Sequence, residues 1–285
     1  MTYKIFDYIT ENNLNYPIND IEAWKHYPNY NFVYDKLRLS EIQNIECSPI
    51  PLYPNEFPII VKPIINLFGM SKGFKKVYFE NEYKELLDEN NLAGYFFQKY
   101  FDGKQYNVDL IIKNGKIICY YALISNPDIF GTFNSHYYLK DYKLSDNIKN
   151  LLEELLENYT GFLNVEIINE YIIEIHLRFN GDCFIYSKEN YDSFITILEN
   201  DIFDESKLNL KVNNYCMFPI FTNNKNYNKL KLIKYLEENN TIQNFIIDDI
   251  ESQFQGDYYK RCCYFIIDDY ILGSNIKNFI LEKII

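Results

Sequence analysis

Residues 161–181, GFLNVEIINEYIIEIHLRFNG, constrain this chain most, because they place Glu166, Glu174, His176, Arg178 and Asn180 on what read as two adjacent strands. From Glu174 the polar residues fall at every second position, with Ile173, Ile175 and Leu177 filling the alternate ones. Side chains alternate faces along a strand, so Glu174, His176 and Arg178 project from one face of a sheet. Glu166 belongs to the preceding strand, and Asn180 continues the polar pattern. Two acids, an imidazole and a guanidinium on one surface make a poor core and a good cradle for a divalent cation and phosphate oxygens. Carboxylates ligate Mg2+, which keeps waters and substrate phosphates in its shell, and Arg meets phosphate with a bidentate fork. A two-residue turn between the strands would put Glu166 and Glu174 on opposite faces. A three-residue loop, Asn169-Glu170-Tyr171, would put them on one, and Asn tolerates the left-handed conformation such a loop needs.

A surface for phosphate is not a surface for nucleic acid here. The net charge is −12, with 28 Lys and Arg against 40 Asp and Glu. Nucleic-acid binding rests on concentrated positive charge, whereas a small nucleotide is neutralised locally by its metal. The opening MTYKIFDYITENN has no sustained apolar run of a signal peptide, and no segment approaches the length of a membrane span. Cys47, Cys119, Cys183, Cys216, Cys262 and Cys263 form no CxxC pair and read as reduced thiols, with zinc or disulfides as the alternative. The expectation is a soluble cytoplasmic protein that binds neither membrane nor nucleic acid. Hydrophobic residues at 47% supply an ample core, and the abundance of Asn, Lys, Ile and Tyr points to an AT-rich coding genome.

Along the chain, DKLRLSEIQN (35–44) reads as a helix, followed by the Pro-punctuated SPIPLYPNEFP and a buried-type strand, Ile59-Ile60-Val61-Lys62, stopped by Pro63. The loop INLFGMSKG leads to a strand near 76–79, a helix near 80–90 and a strand at 95–101. Strands near 106–113 and 116–125 are joined by Asn114-Gly115, a strong hairpin signal. Residues 126–143 read as a long polar and aromatic loop, a candidate lid, in which His136 reads as exposed, with acceptor contact as the alternative. Helices are expected near 145–158, 189–200 and 227–239 and from about Asn275, with strands near 244–247 and 264–267. The pattern is α+β with mostly antiparallel strands.

This order of elements resembles the ATP-grasp superfamily. VYDKLRLSEIQNI, FPIIVKPIINLFGMSKG, TGFLNVEII and IIEIHLRFNG together resemble a little-described subgroup of it, in which His stands in the place of the usual Asn of an E-x-N-x-R motif. The resemblance implies an ATP-grasp fold of two α+β lobes, mostly antiparallel, with a reduced N-terminal pre-domain. Residues 1–57 would be the cap, 58–190 the lobes, and 191–285 a C-terminal α/β extension completing or flanking them.

By the same resemblance Lys36 and Lys62 would touch ATP phosphates, and Gly69, Ser71 and Gly73 would let a loop close over them. Gln98, Lys99 and Phe101 match the hinge that recognises adenine, and Asp109 has a supporting place. Lys104, after Gly103, stands where many relatives carry an acid that contacts the ribose. Glu166, Glu174 and His176 would hold Mg2+, with Mn2+ as the alternative because imidazole is a softer ligand. Arg178 and Lys62 would act on the transferred phosphoryl group. The implied activity is an ATP-dependent carboxylate–amine or carboxylate–thiol ligase acting through an acylphosphate on small-molecule substrates. Because the pre-domain is reduced, the acceptor pocket must be built differently or borrowed from a second chain, in a homodimer or from a protein partner. The rival expectation is a catalytically degenerate scaffold serving structural or protein-interaction ends. No G-x-S-x-G elbow or GxxxxGK[ST] loop is present, and His26, His136 and His176 are too far apart in sequence to suggest a nucleophile triad.

Overall fold

The structure, a computed structural model, describes residues 5–68, 73–89, 92–127, 133–180, 188–200, 215–222, 227–247 and 260–285. The N-terminal segment contributes helices rather than a sheet of its own: α1 (Ile5–Glu11), α2 (Asp20–His26), a 3-10 turn (Pro28–Tyr34) and α3 (Lys36–Ile42). A small sheet follows, made of β1 (Cys47–Pro49), β2 (Ile59–Pro63), β3 (Lys75–Val77) and β4 (Tyr95–Lys99) in the order β1-β4-β2-β3, all antiparallel. Between β3 and β4 runs α4 (Glu80–Glu89), whose Tyr83 and Leu86 pack on Ile59, Val61, Val77 and Phe97. Alternation then turns Ile60, Lys62, Phe96 and Gln98 to the other face of this sheet.

The large sheet has eight strands. In chain order they are β5 (Gln105–Lys113), β6 (Lys116–Pro127), β7 (Phe133–Leu139), β8 (Gly161–Ile168), β9 (Tyr171–His176), β10 (Cys216–Thr222), β11 (Asn244–Ile247) and β12 (Lys260–Ile267). Their spatial order is β11-β12-β10-β7-β6-β5-β8-β9, so the C-terminal strands continue the sheet that carries the acidic hairpin. One face of β5 and β8, through Val108, Leu110, Leu163 and Val165, buries against α5 (Asp146–Leu155), whose Ile148 and Leu152 point inward. The opposite face packs Ile111, Tyr121, Leu123 and Phe162 against Tyr191 and Phe194 of α6 (Lys188–Asn200). Two further helices, α7 (Lys229–Glu238) and α8 (Tyr270–Lys283), cover β10 and β12. The last helix starts earlier than expected because Asp269 caps it, its carboxylate accepting from Leu272 N at 2.9 Å.

Two sequence expectations are corrected. The span 126–143 is not one long loop: β7 occupies 133–139, and the lid reading falls with it. His136 is fully buried on that strand instead of exposed in a loop. The β8–β9 connection is also not a three-residue loop. Asn169 and Glu170 take φ of 49° and 65°, the left-handed pair of a two-residue hairpin turn, and Tyr171 already pairs with Ile168. Glu166 nonetheless faces Glu174, because a bulge intervenes: Glu166 opposes Glu174 while Ile167 opposes Ile172, leaving Ile173 as an extra residue on β9. That residue restores the shared face, with Ile172 and Ile175 both on the α5 side.

Glu170 sits where glycine is preferred, and it is exposed, so relief of its backbone strain is readable in stability. Glu170→Gly is expected to gain up to about 1 kcal/mol after the entropic cost of glycine. Thermal melting should rise by roughly 2–4 °C per kcal/mol gained. An unchanged or lower melting temperature would contradict the turn geometry.

Candidate functional site

The site is built on the edge of the large sheet. As the last strand, β9 would leave its outer backbone groups unpaired, and the amide of Gln43 covers them. Gln43 Nε2 donates to Ile172 O and Ile172 N donates to Gln43 Oε1, both at 2.8 Å, so one side chain imitates a neighbouring strand. This anchors the C-terminal end of α3 along β9. The start of α3 is capped by the Asp35 side chain, which accepts from Arg38 N, and tied to the small sheet by Lys36 N donating to Ile64 O at 3.0 Å. A single short helix thus bridges the two sheets and presents Lys36 between them.

Lys36 is buried and its ammonium pairs with the Glu174 carboxylate. Lys62, from the cleft face of β2, donates to Ile173 O at 3.4 Å, so the bulge carbonyl is the acceptor, and it lies 5.6 Å from the centre of the Phe96 ring. Burial first, and the neighbouring Lys36 second, push the Lys62 ammonium down to about 8. Glu166 accepts from Gln105 Nε2 at 2.7 Å. Burial and the facing Glu174 carboxylate push the Glu166 carboxyl well above its usual range. Burial acts on Glu174 in the same sense, but Lys36, His176 and Lys62 outweigh it and hold Glu174 ionised. Like charges this close titrate as a pair, with one proton favoured on Glu166.

Ligand atoms of Glu166, Glu174 and His176 lie within 4.8 Å of one another. Two carboxylate oxygens and an imidazole nitrogen at that spacing fit a divalent cation. Gln98 adds a second sign of a ligand-shaped gap. It is 3% exposed on the cleft face of β4, and its Nε2 donor has no partner among the described residues. A buried orphan donor costs free energy until something accepts from it, and a purine ring nitrogen is such an acceptor.

Other expected residues are distributed differently. Lys99 is exposed on the opposite face of β4 from Gln98, with its backbone N–H taken by Glu46 O at 2.8 Å. Phe101 stacks on Tyr171 at the start of β9, with centroids 4.8 Å apart. Gly73 has φ of 80°, and a Cβ there would collide with the Tyr95 ring. Gly69 and Ser71 lie outside the described residues. Asp109 is buried in β5 and acts as a brace: Oδ1 accepts from Asn164 Nδ2 at 3.0 Å and from Asn180 N at 2.8 Å, fixing the segment that carries Arg178.

Three groups of residues escaped the sequence reading. Gln43 is the first. The second is Asp20, which starts α2 and is 3% exposed beneath the end of β9. Its Oδ1 accepts from His176 Nδ1 at 3.1 Å and from Tyr34 OH at 3.2 Å, and its Oδ2 from Arg178 Nη2 at 2.6 Å. Burial alone would raise the Asp20 carboxyl, yet His176 and Arg178 hold it far below the usual carboxylate range. The third is a polar stripe on the same sheet face, where Asn107 Nδ2 donates to Ser125 Oγ at 2.7 Å and Ser125 Oγ lies 2.8 Å from His136 Nδ1. Asn107 is opposite Glu166 in register, so the stripe runs from the acids across β5 and β6 to β7. The only sequence signal for it was period-2 polarity in strands otherwise read as apolar.

Among the described residues no helix is long and apolar enough to cross a membrane. No family model and no curated protein sequence matches the chain. Solved structures do. An L-amino acid ligase from Bacillus licheniformis aligns over 98% of this chain and 82% of its own, with TM-score 0.61 and 10% identity. An N5-carboxyaminoimidazole ribonucleotide synthetase from Thermus thermophilus covers 94% and 81%, with TM-score 0.58 and 12% identity. An N5-carboxyaminoimidazole synthetase from Staphylococcus aureus complexed with ADP covers 88% and 71%, with TM-score 0.57 and 11% identity.

Gln43→Ala should uncover both backbone groups of Ile172 and cost about 1–3 kcal/mol. Differential scanning calorimetry should show a fall of several degrees in Tm, and an unchanged Tm would contradict the edge clamp. At identities of 10–12% the likeness to these proteins is one of fold: the chain has the ATP-grasp fold, α+β with mostly antiparallel sheets.

Proposed function

We propose that this protein is an ATP-dependent carboxylate–amine ligase, with a thiol as the alternative acceptor, working through an acylphosphate. The observation that carries the reading is the convergence of Lys36, Lys62, Glu166, Glu174, His176 and Arg178 at one cleft between the two sheets. It is supported by the fold shared with an L-amino acid ligase and by neighbours solved with ADP.

In this reading Gln98 Nε2 donates to a ring nitrogen of the adenine, while Lys36 and Lys62 meet the phosphates. Glu166, Glu174 and His176 would hold Mg2+ or Mn2+, which supplies charge neutralisation to the phosphates when bound. The reaction proceeds in two displacements. A substrate carboxylate oxygen attacks the γ-phosphorus, forming an acylphosphate as ADP leaves. An amine then attacks the acyl carbon, the C–N bond forms, phosphate departs with the C–O electron pair, and the amine loses a proton. Arg178 and Lys62 carry charge to the migrating phosphoryl group, where fixed cations in a water-poor cleft count most.

A second reading has one observation in its favour. The charges already satisfy one another: Lys36 pairs with Glu174, and Asp20 pairs with His176 and Arg178. A degenerate scaffold would look like this if no ligand ever displaced those pairs. The two readings part on turnover. With Mg2+ or Mn2+ and mixtures of amino acids as candidate carboxylates and amines, wild-type protein should release ADP in an acceptor-dependent way. Adding hydroxylamine should trap the acylphosphate as a hydroxamate. Glu174→Gln should lower the rate by at least about 100-fold in protein that remains folded. Equal ADP release by wild type and variant, or none under any condition with a folded protein, would favour the scaffold.

A further inference from the structure

We infer that Asp20 is a positioning residue that makes His176 a metal ligand, by holding Nδ1–H so that the Nε2 lone pair is the one offered to a cation beside Glu166 and Glu174. The inference rests on the metal reading of those three residues proposed above.

Imidazole has two nitrogens, and only one of them can face a cation. A ring that is free to rotate and to exchange tautomers offers either nitrogen, or neither in the needed direction. A ligating histidine is commonly fixed by a carboxylate accepting from its other N–H. Asp20 meets that description at 3.1 Å from Nδ1, with the ring 5% exposed. The carboxylate is itself rigidly held. Tyr34 OH donates to the same oxygen at 3.2 Å, and the Tyr34 oxygen accepts from Leu177 N, the residue directly after His176, also at 3.2 Å. Asp20, Tyr34 and the backbone at Leu177 therefore form a closed frame around the imidazole. The base of the frame is fixed as well, because Asn19 caps α2 by accepting from Glu22 N at 2.9 Å while its amide donates to Glu22 Oε1 at 2.7 Å.

The second oxygen of Asp20 accepts from Arg178 Nη2 at 2.6 Å, two residues beyond His176 on the same side of the strand end. One carboxylate, delivered by a helix outside both sheets, thus sets the orientation of an imidazole and a guanidinium together. The N-terminal helices are therefore a working part of the site through the groups that Asp20 aims. An imidazole beside two carboxylates is better tolerated by Mn2+ than by Mg2+, so the effect of Asp20 should be larger for Mn2+ than for Mg2+.

The test measures Mn2+ binding to the full chain without nucleotide, by electron paramagnetic resonance of the free ion. Four proteins are compared: wild type, Asp20→Asn, His176→Asn and the double variant. Asparagine at 176 keeps one oxygen for the cation and removes the imidazole whose tautomer Asp20 would set, so the cycle isolates action through the ring. Asp20→Asn should weaken Mn2+ binding by about 10–100-fold in the wild-type background and by less than about threefold in the His176→Asn background. Equal losses in both backgrounds would mean that Asp20 serves the fold alone, and would overturn the inference while leaving the metal reading in place.

A second measurement needs no variant of Asp20. The protein holds three histidines, so the 15N-histidine spectrum of wild type loaded with Zn2+, assigned with His176→Asn, is simple to read. It should show Nε2 of His176 as the metal-bound nitrogen and Nδ1 carrying the hydrogen. Ligation through Nδ1 overturns the inference alone. Failure of wild type to bind either ion removes the metal reading and this inference with it.

Discussion

Two half-buried carboxylates that face each other across adjacent strands repel one another unless cations are brought to them, and much of the architecture does that delivery. Glu166 and Glu174 are opposite in register at the edge of the eight-stranded sheet. The helix α3 brings Lys36 from one side, β2 brings Lys62 from the other sheet, and β9 with the residues after it brings His176 and Arg178. The unequal result, a charged Glu174 and a Glu166 that favours its proton, means that a divalent cation could bind between them only as that proton leaves. Such a cation would displace that proton and take over the neutralising role now shared among lysines.

The delivery depends on small backbone devices. Without the bulge at Ile173, regular pairing from a two-residue turn would set Glu174 opposite Val165 and send it to the α5 face, into a cluster of valines, leucines and isoleucines. The same bulge turns out the carbonyl that receives Lys62, so one irregularity both aligns the acids and docks the neighbouring sheet. Gln43 and Lys36 sit at opposite ends of one short helix, and their contacts fix its direction relative to both sheets. Rigid positioning of this kind is what a cleft needs if charge is to be stabilised without reorganisation at the moment of reaction.

The sequence showed these features unequally, for physical reasons. Strong period-2 alternation in 161–178 and the Asn114-Gly115 turn made the hairpins and the acidic face legible, since each is a local consequence of strand geometry. The bulge was not legible, because two-residue and three-residue connections differ by one residue that either the turn or the strand can absorb. His136 was misread because its neighbours are polar and aromatic, while its burial comes from β6 and β10 pairing on both sides of β7. Asp20 and Gln43 carry no local signal at all. Their partners on β9 and just after it are 129 to 158 residues away, and only the closed fold brings them together.

The central claim is that this cleft binds a nucleoside triphosphate through charges now paired with one another. The most direct measurement is isothermal titration of the protein with Mg-ATP and Mn-ATP, repeated with Lys62→Ala. The account predicts saturable one-site binding to wild type with both metals, tighter with Mn2+, and at least about tenfold weaker binding in the variant, where one phosphate contact is gone. Absence of binding to folded wild-type protein with either metal would contradict it.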